Sequence, residues 1–210
     1  RAVAASGRSE RQLALRSALS LFAICAGTFA ALQVPLPEDV DGLAREAIEA
    51  GSLLLTGLLA AFVGGGLRGT TPLAANVRWM LAAAALAGIT IGVAFVYLHA
   101  LGLAGGTDAG PMDLAPWIGT VVFAPLVEEW ICRGVAWRAA ERLSRGVTAL
   151  VITAVLFAFL HGLGGLSLLE LPHRFAGGLA YGYLRWRSGS LWPGVLAHAL
   201  HNGICCGLPA

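Results

Sequence analysis

Long apolar runs separated by short polar stretches dominate this chain. Hydropathy picks out seven of them, at 13–34, 51–67, 77–101, 114–137, 147–166, 172–187 and 190–208. A helix needs about 20 residues to cross the hydrocarbon core of a bilayer, with a range of about 17–25. The runs are of that order and lack the period-2 alternation of strands. They predict an all-α fold: a polytopic transmembrane helical bundle of about seven spans, with a polar cavity inside the membrane. The sixth run, which holds His173, Arg174, Gly177, Gly178 and Gly182, is the weakest and predicts a short or tilted helix. The first run is too long for the apolar region of about 7–15 residues in a signal peptide, and reads as a retained helix.

Composition agrees. Of 210 residues, 57% are apolar and 12% charged, where a soluble domain carries about 25% charged residues. The mean hydropathy is +0.75. A net charge of +2 without a basic stripe excludes a nucleic-acid module, and the apolar content excludes a disordered chain. Cys25, Cys132, Cys205 and Cys206 show neither metal spacing nor a disulfide framework, and read as small apolar residues.

All fourteen basic residues are Arg, and their distribution predicts orientation by the positive-inside rule. Eleven (Arg1, Arg8, Arg11, Arg16, Arg68, Arg78, Arg138, Arg142, Arg145, Arg185 and Arg187) fall in the N-terminal tail or in alternate connections. The other connections hold eight acids (Glu38, Asp39, Asp41, Glu46, Glu49, Asp108, Asp113 and Glu170) with Arg45 and Arg174. The N-terminus is therefore expected in the cytoplasm. Trp79, Trp137, Trp186 and Trp192 are expected as an aromatic belt at the inner boundary, and Trp117 at the outer one.

Glu128, Glu129 and Arg133 remain, all inside the fourth run. A charge at membrane depth costs about 2.5–3.5 kcal/mol on insertion scales and marks a functional site by default. Glu129 and Arg133 are i,i+4 neighbours able to pair, whereas Glu128 points away from them. Two adjacent carboxylates cannot both ionise cheaply in an apolar site. Pairing of Glu129 with Arg133 would leave Glu128 to act as a general base. His161 lies in the fifth run, and His198 and Asn202 share one helix face of the seventh. At 1.5 Å per residue, Glu128, His161, His198 and Asn202 lie about 15, 21, 11 and 17 Å from the inner boundary, all near mid-membrane. Nearby glycines (Gly162, Gly164, Gly165, Gly177, Gly178 and Gly182) would let these helices approach closely.

A carboxylate base, a His and a His/Asn donor pair suit water activation with oxyanion stabilisation. Glu128 with His161 would deprotonate water, and His198 and Asn202 would stabilise the oxyanion. The competing mechanism is a zinc-bound water held by Glu128, His161 and His198, a set without the local His-Glu-x-x-His spacing. A thiol mechanism through Cys132 is the minor reading, because Cys132 lies four residues from Glu128 and beside Arg133.

The three motifs are Glu128-Glu129-x-x-x-Arg133, Phe157-x-x-x-His161 and His198-x-x-x-Asn202. With this order and spacing, the chain resembles the CPBP family, the CAAX-protease and bacteriocin-processing (Abi) intramembrane endopeptidases. The resemblance covers roughly 114–207 and includes Ala180-Tyr181-Gly182-Tyr183-Leu184-Arg185 running to Ser190-Leu191-Trp192. Cys132 departs from it, standing where many members have an aromatic or aliphatic residue. The resemblance implies Glu128 and His161 as base, His198 and Asn202 as oxyanion donors, and Glu129 and Arg133 in support. It implies membrane-anchored protein or peptide substrates, including C-terminal tails, and location in the bacterial inner membrane. Both metal-free glutamate and metal-dependent mechanisms have been described for the family. Residues 1–110 are then N-terminal helices and 111–210 the catalytic core. The rival reading is a non-catalytic membrane protein, either a transporter or an immunity-type binding factor. The absence of internal inverted symmetry weighs against a transporter.

Outside the site, His99 is expected as a packing hydrogen bond and His201 as a supporting residue. His173 and Arg174 are expected as anchors at the outer boundary. The Gly88-x-x-x-Gly92 pair is expected to pack within the bundle.

Overall fold

The computed structural model describes residues 2–33, 42–67, 76–102, 113–163 and 168–207. Among the expected loop charges and glycines, Arg1, Glu38, Asp39, Asp41, Arg68, Asp108, Gly164 and Gly165 lie outside these residues. The described residues form seven long helices and no strand. They are α1 (Ala2–Leu32), α2 (Gly42–Val63), α3 (Val77–Ala100), α4 (Leu114–Leu143), α5 (Val147–Leu163), α6 (Leu171–Ser188) and α7 (Trp192–Cys206). A single 3₁₀ turn, Leu168–Glu170, precedes α6. Ser9–Leu32, Val77–Ala100 and Leu114–Leu143 are long and apolar enough to cross a membrane unaided. Ala47–Val63 and Val147–Leu163 are shorter apolar helices.

Local chemistry sets the helix ends. The Asn76 side chain accepts from the Arg78 amide and caps α3. Gly189, with φ of 70°, stops α6 in the left-handed conformation, just after Arg185 and Arg187. The last carbonyls around α2 gain cationic donors, with Arg142 bonding Gly64 O and Arg138 bonding Gly66 O. Arg185 Nε also donates to Arg133 O at 3.0 Å. These arginines thus brace helix junctions.

Helix α4 is continuous but irregular. Its turns widen to π-helix over Gly119–Phe123 and again over Trp130–Ala136. Pro125 has no N–H to donate to the preceding turn and its ring would crowd a regular one, so the wide turn before it relieves both problems. The second wide segment starts directly after Glu128 and Glu129. π-Bulges inside helices are frequent at functional sites.

Helix α5 packs against α6, α3 against α6 and α7, and α6 against α7, while the α1–α2 pair leans on α4. Small residues make this possible: Ala60, Ala83, Ala87, Ala136 and Ala197 are fully or almost fully buried beside Ile24, Ile131, Tyr181 and Leu184. A Cβ on Gly178 would come within 3.0 Å of the Ala154 backbone, so α5 and α6 touch through that glycine. Large apolar side chains instead face outward, with Phe62 81% and Phe22 70% exposed. Such a surface suits lipid rather than water.

Two packing expectations are overturned. Gly88 and Gly92 have nothing within 4 Å of an added Cβ, so the pair is open and makes no contact within the bundle. Trp137 is buried against Gly182, with the Arg185 guanidinium over its ring, and faces no boundary. Trp186 and Trp192 do lie partly exposed.

Candidate active site

The segment after Pro125 brings Glu128 and Glu129 to the junction of α4, α5 and α7 in different surroundings. Glu129 and Arg133 are both 0% exposed, and Arg133 Nη1 donates to Glu129 Oε1 at 2.9 Å. Arg133 Nη2 donates to Gly178 O at 2.7 Å, which carries the pair across to α6. The guanidinium also lies over the Phe157 ring, 4.5 Å from its centroid. Phe157, the first residue of the second motif, is therefore the floor beneath the ion pair.

Glu129 Oε1 also accepts from His198 Nδ1 at 3.2 Å. That bond leaves His198 Nε2 facing Glu128, 3.9 Å from its Oε2. Tyr181 stacks on the His198 ring, with centroids 5.0 Å apart and planes 17° apart. His198 is 3% exposed and is fixed on one edge by a carboxylate and on one face by an aromatic ring. Gly194 leaves the space this requires, since a Cβ there would meet Glu129 Oε2 at 2.9 Å.

Glu128 is 25% exposed and, as expected, stays clear of Arg133. Its Oε2 lies 3.5 Å from His161 Nε2. A carbonyl can only accept, so the 2.8 Å contact between His161 Nδ1 and Phe157 O places a proton on Nδ1. The neutral ring then presents Nε2 as an acceptor toward Glu128. Glu128 Oε2 has no hydrogen-bond partner among the described residues.

Asn202 lies one turn beyond His198, and its Nδ2 donates to Thr120 O at 2.9 Å. Thr120 lies in the first wide segment of α4. His201 Nδ1 is 3.2 Å from Thr90 Oγ1 and ties α7 to α3. The structure thus gathers Glu128, His161 and His198 within contact range of one another and seats Asn202 next to them on α7. Sequence reasoning missed Tyr181, Thr120 and Gly194 as supports, whereas Gly178 makes the close helix approach expected of it. His99 makes a stacked contact with Phe95 at 5.9 Å in place of the expected hydrogen bond. His173 and Arg174 lie at the start of α6 and turn inward. His173 is 8% exposed, and both line a small recess with His198, His201 and Asn202.

Two apolar cavities meet at Glu128. One, of about 450 Å³, lies between α2 and α4 and is bordered by Glu49, Leu53, Ile118, Phe123 and Val127. The other, of about 260 Å³, is bordered by Thr28, Leu53, Cys132, Phe157, Leu160 and His161. Glu128 and Leu53 line both. Cys25, Cys132, Cys205 and Cys206 are free thiols.

The expected zinc set was Glu128, His161 and His198. Among the described residues, no three His, Cys, Asp or Glu side chains are placed to hold a metal ion.

Comparison with curated proteins and with solved structures finds no match. Residues 110–204, from the start of α4 to the end of α7, match the family described as type II CAAX prenyl endopeptidase Rce1-like. All seven motif residues fall within that stretch, which is similar to the Rce1-like CAAX endopeptidases over somewhat less than half of the chain.

Proposed function

We propose that the chain is an intramembrane endopeptidase that hydrolyses peptide bonds of membrane-associated proteins or peptides with a water activated by Glu128. The observation that carries this reading is the contrast between the two neighbouring glutamates. Glu129 Oε1 is engaged by Arg133 and His198, while Glu128 stays clear of the arginine and faces only His161 and His198, where two apolar cavities meet. A carboxylate at such a place, with no cation bound to it, is suited to take a proton.

A water bound by Glu128 Oε2 on its cavity side, beside His161 Nε2, would give its proton to Glu128 as its oxygen attacks the scissile carbonyl carbon. The carbonyl π pair moves onto oxygen. His198 Nε2–H and the second N–H of Asn202 donate to that oxyanion. His198 must then carry both ring protons, and Glu129 at its Nδ1 supports that cation, as a buried carboxylate orients and stabilises a catalytic imidazolium elsewhere. Collapse of the intermediate breaks the C–N bond, and the amine leaves with the proton stored on Glu128. The cavities accept apolar residues on either side of the cleaved bond. Processing of C-terminal tails is the fitting physiological task, and the cytoplasmic N-terminus and bacterial inner membrane belong to the same reading.

The test compares cells producing wild-type protein with cells producing Glu128→Gln, mapping protein termini in the membrane fraction by mass spectrometry. Termini present only with the wild type are expected. Identical termini with both proteins would favour the non-catalytic binding role.

A further inference from the structure

The small recess behind His198 is donor-rich and contains no carboxylate. Its polar lining is His173, Arg174, His198, His201 and Asn202. Its free volume is about 10 Å³, about what one water-sized oxygen requires. Arg174 Nε and His173 Nδ1 are shielded from solvent and have no hydrogen-bond partner among the described residues. Arg174 also makes no ion pair there, although Glu170 precedes it by four residues. Arg174 is partly buried, and a permanently protonated guanidinium whose Nε–H is shielded from solvent and unfilled is costly unless an acceptor meets it.

We propose that Arg174 is a third oxyanion donor, completing with His198 and Asn202 a one-oxygen pocket for the anion formed during hydrolysis. The inference rests on the peptidase reading. Recess size selects this role: one developing O⁻ fits, whereas a carboxylate or phosphate does not. The donor inventory agrees. Asn202 spends one amide N–H on Thr120 O and has one left, His198 Nδ1 is spent on Glu129, and Arg174 Nε–H is unspent. In the reaction, attack of water on the carbonyl carbon forms the C–O bond and shifts the π pair to this oxygen. Arg174 gains its hydrogen bond only then. A donor engaged only in the transition state raises kcat and leaves KM alone.

The test uses purified full chain in detergent and a peptide substrate taken from the terminal mapping, made with a free C-terminal carboxylate and as the C-terminal amide. For Arg174→Gln, kcat is expected to fall about 10²–10³-fold on both peptides, with KM within about threefold of wild type. A phosphonate analogue of the scissile bond, tetrahedral and anionic, should bind the variant about 10²-fold more weakly. Unchanged kcat would overturn the proposal. So would a loss confined to KM on the carboxylate peptide, which would make Arg174 a binder of chain termini. If Arg174→Gln does not fold, Arg174→Lys serves, because it keeps the charge and loses the planar donor. A lowered kcat at constant KM then supports the role, and wild-type kcat refutes it. Glu128→Gln and wild type run beside these variants: absence of cleavage by wild type would refute the peptidase reading, full activity of Glu128→Gln would refute the Glu128-activated water, and an inactive Glu128→Gln with an unaffected Arg174→Gln would refute only the role of Arg174.

Discussion

Replacing Arg133 by Met probes the pair on which the site is built. Arg133 and Glu129 are fully buried 2.9 Å apart, and the second Arg133 nitrogen holds Gly178 O. Met keeps much of the side-chain volume over Phe157 but strands Glu129. Removing one partner of a buried ion pair costs about 3–5 kcal/mol. Orphaning the Gly178 carbonyl costs about 1–3 kcal/mol. The two overlap, because both come from one side chain, so a loss of about 4–6 kcal/mol is expected. For a chain of this size 1 kcal/mol corresponds to about 2–4 °C, so the melting temperature in detergent should fall by at least about 8 °C. The double variant Glu129→Gln/Arg133→Met removes the stranded charge and should recover more than half of that loss. Scanning fluorimetry of the three proteins decides the matter. A single variant melting within about 2 °C of wild type, or a double variant no better than the single, would refute the reasoning.

Three further outcomes are expected. Gly194→Ala places a Cβ against Glu129 Oε2 at 2.9 Å and should lower kcat by displacing His198, with a smaller effect on melting; equal kcat would contradict the packing. Gly178→Ala meets the Ala154 backbone at 3.0 Å, where no flexible side-chain end can yield, and should lower the melting temperature by several degrees, about 1–3 kcal/mol of overpacking. Exhaustive treatment with a metal chelator should leave cleavage unchanged if Glu128 alone activates the water, as proposed; loss of activity restored by zinc would contradict this.

The helices and the heart of the site were legible because each rests on spacing within one element. An i,i+4 interval places Arg133 on Glu129, and another places Asn202 one turn from His198. Counting residues from a membrane boundary placed Glu128 near the depth of His161 and His198, and these three do meet. What escaped were relations between elements. The carbonyl of Thr120 receives Asn202 from within a wide helical turn, and no side chain encodes that turn. Trp137 ends an apolar run as a belt residue would, but Gly182 on α6 makes room for its burial. His173 and Arg174 open the sixth run, and their position in the chain suggested a boundary. Packing of α6 against α3 and α7 turns them toward His198 and His201.

The most direct measurement reconstitutes wild type, Glu128→Gln, His161→Ala and His198→Ala in lipid vesicles with one membrane-anchored peptide, and follows new termini by mass spectrometry. Wild type should cleave, and each variant should lose about 10²-fold or more in rate while keeping its melting temperature within a few degrees. Cleavage by Glu128→Gln at the wild-type rate would contradict a Glu128-activated water.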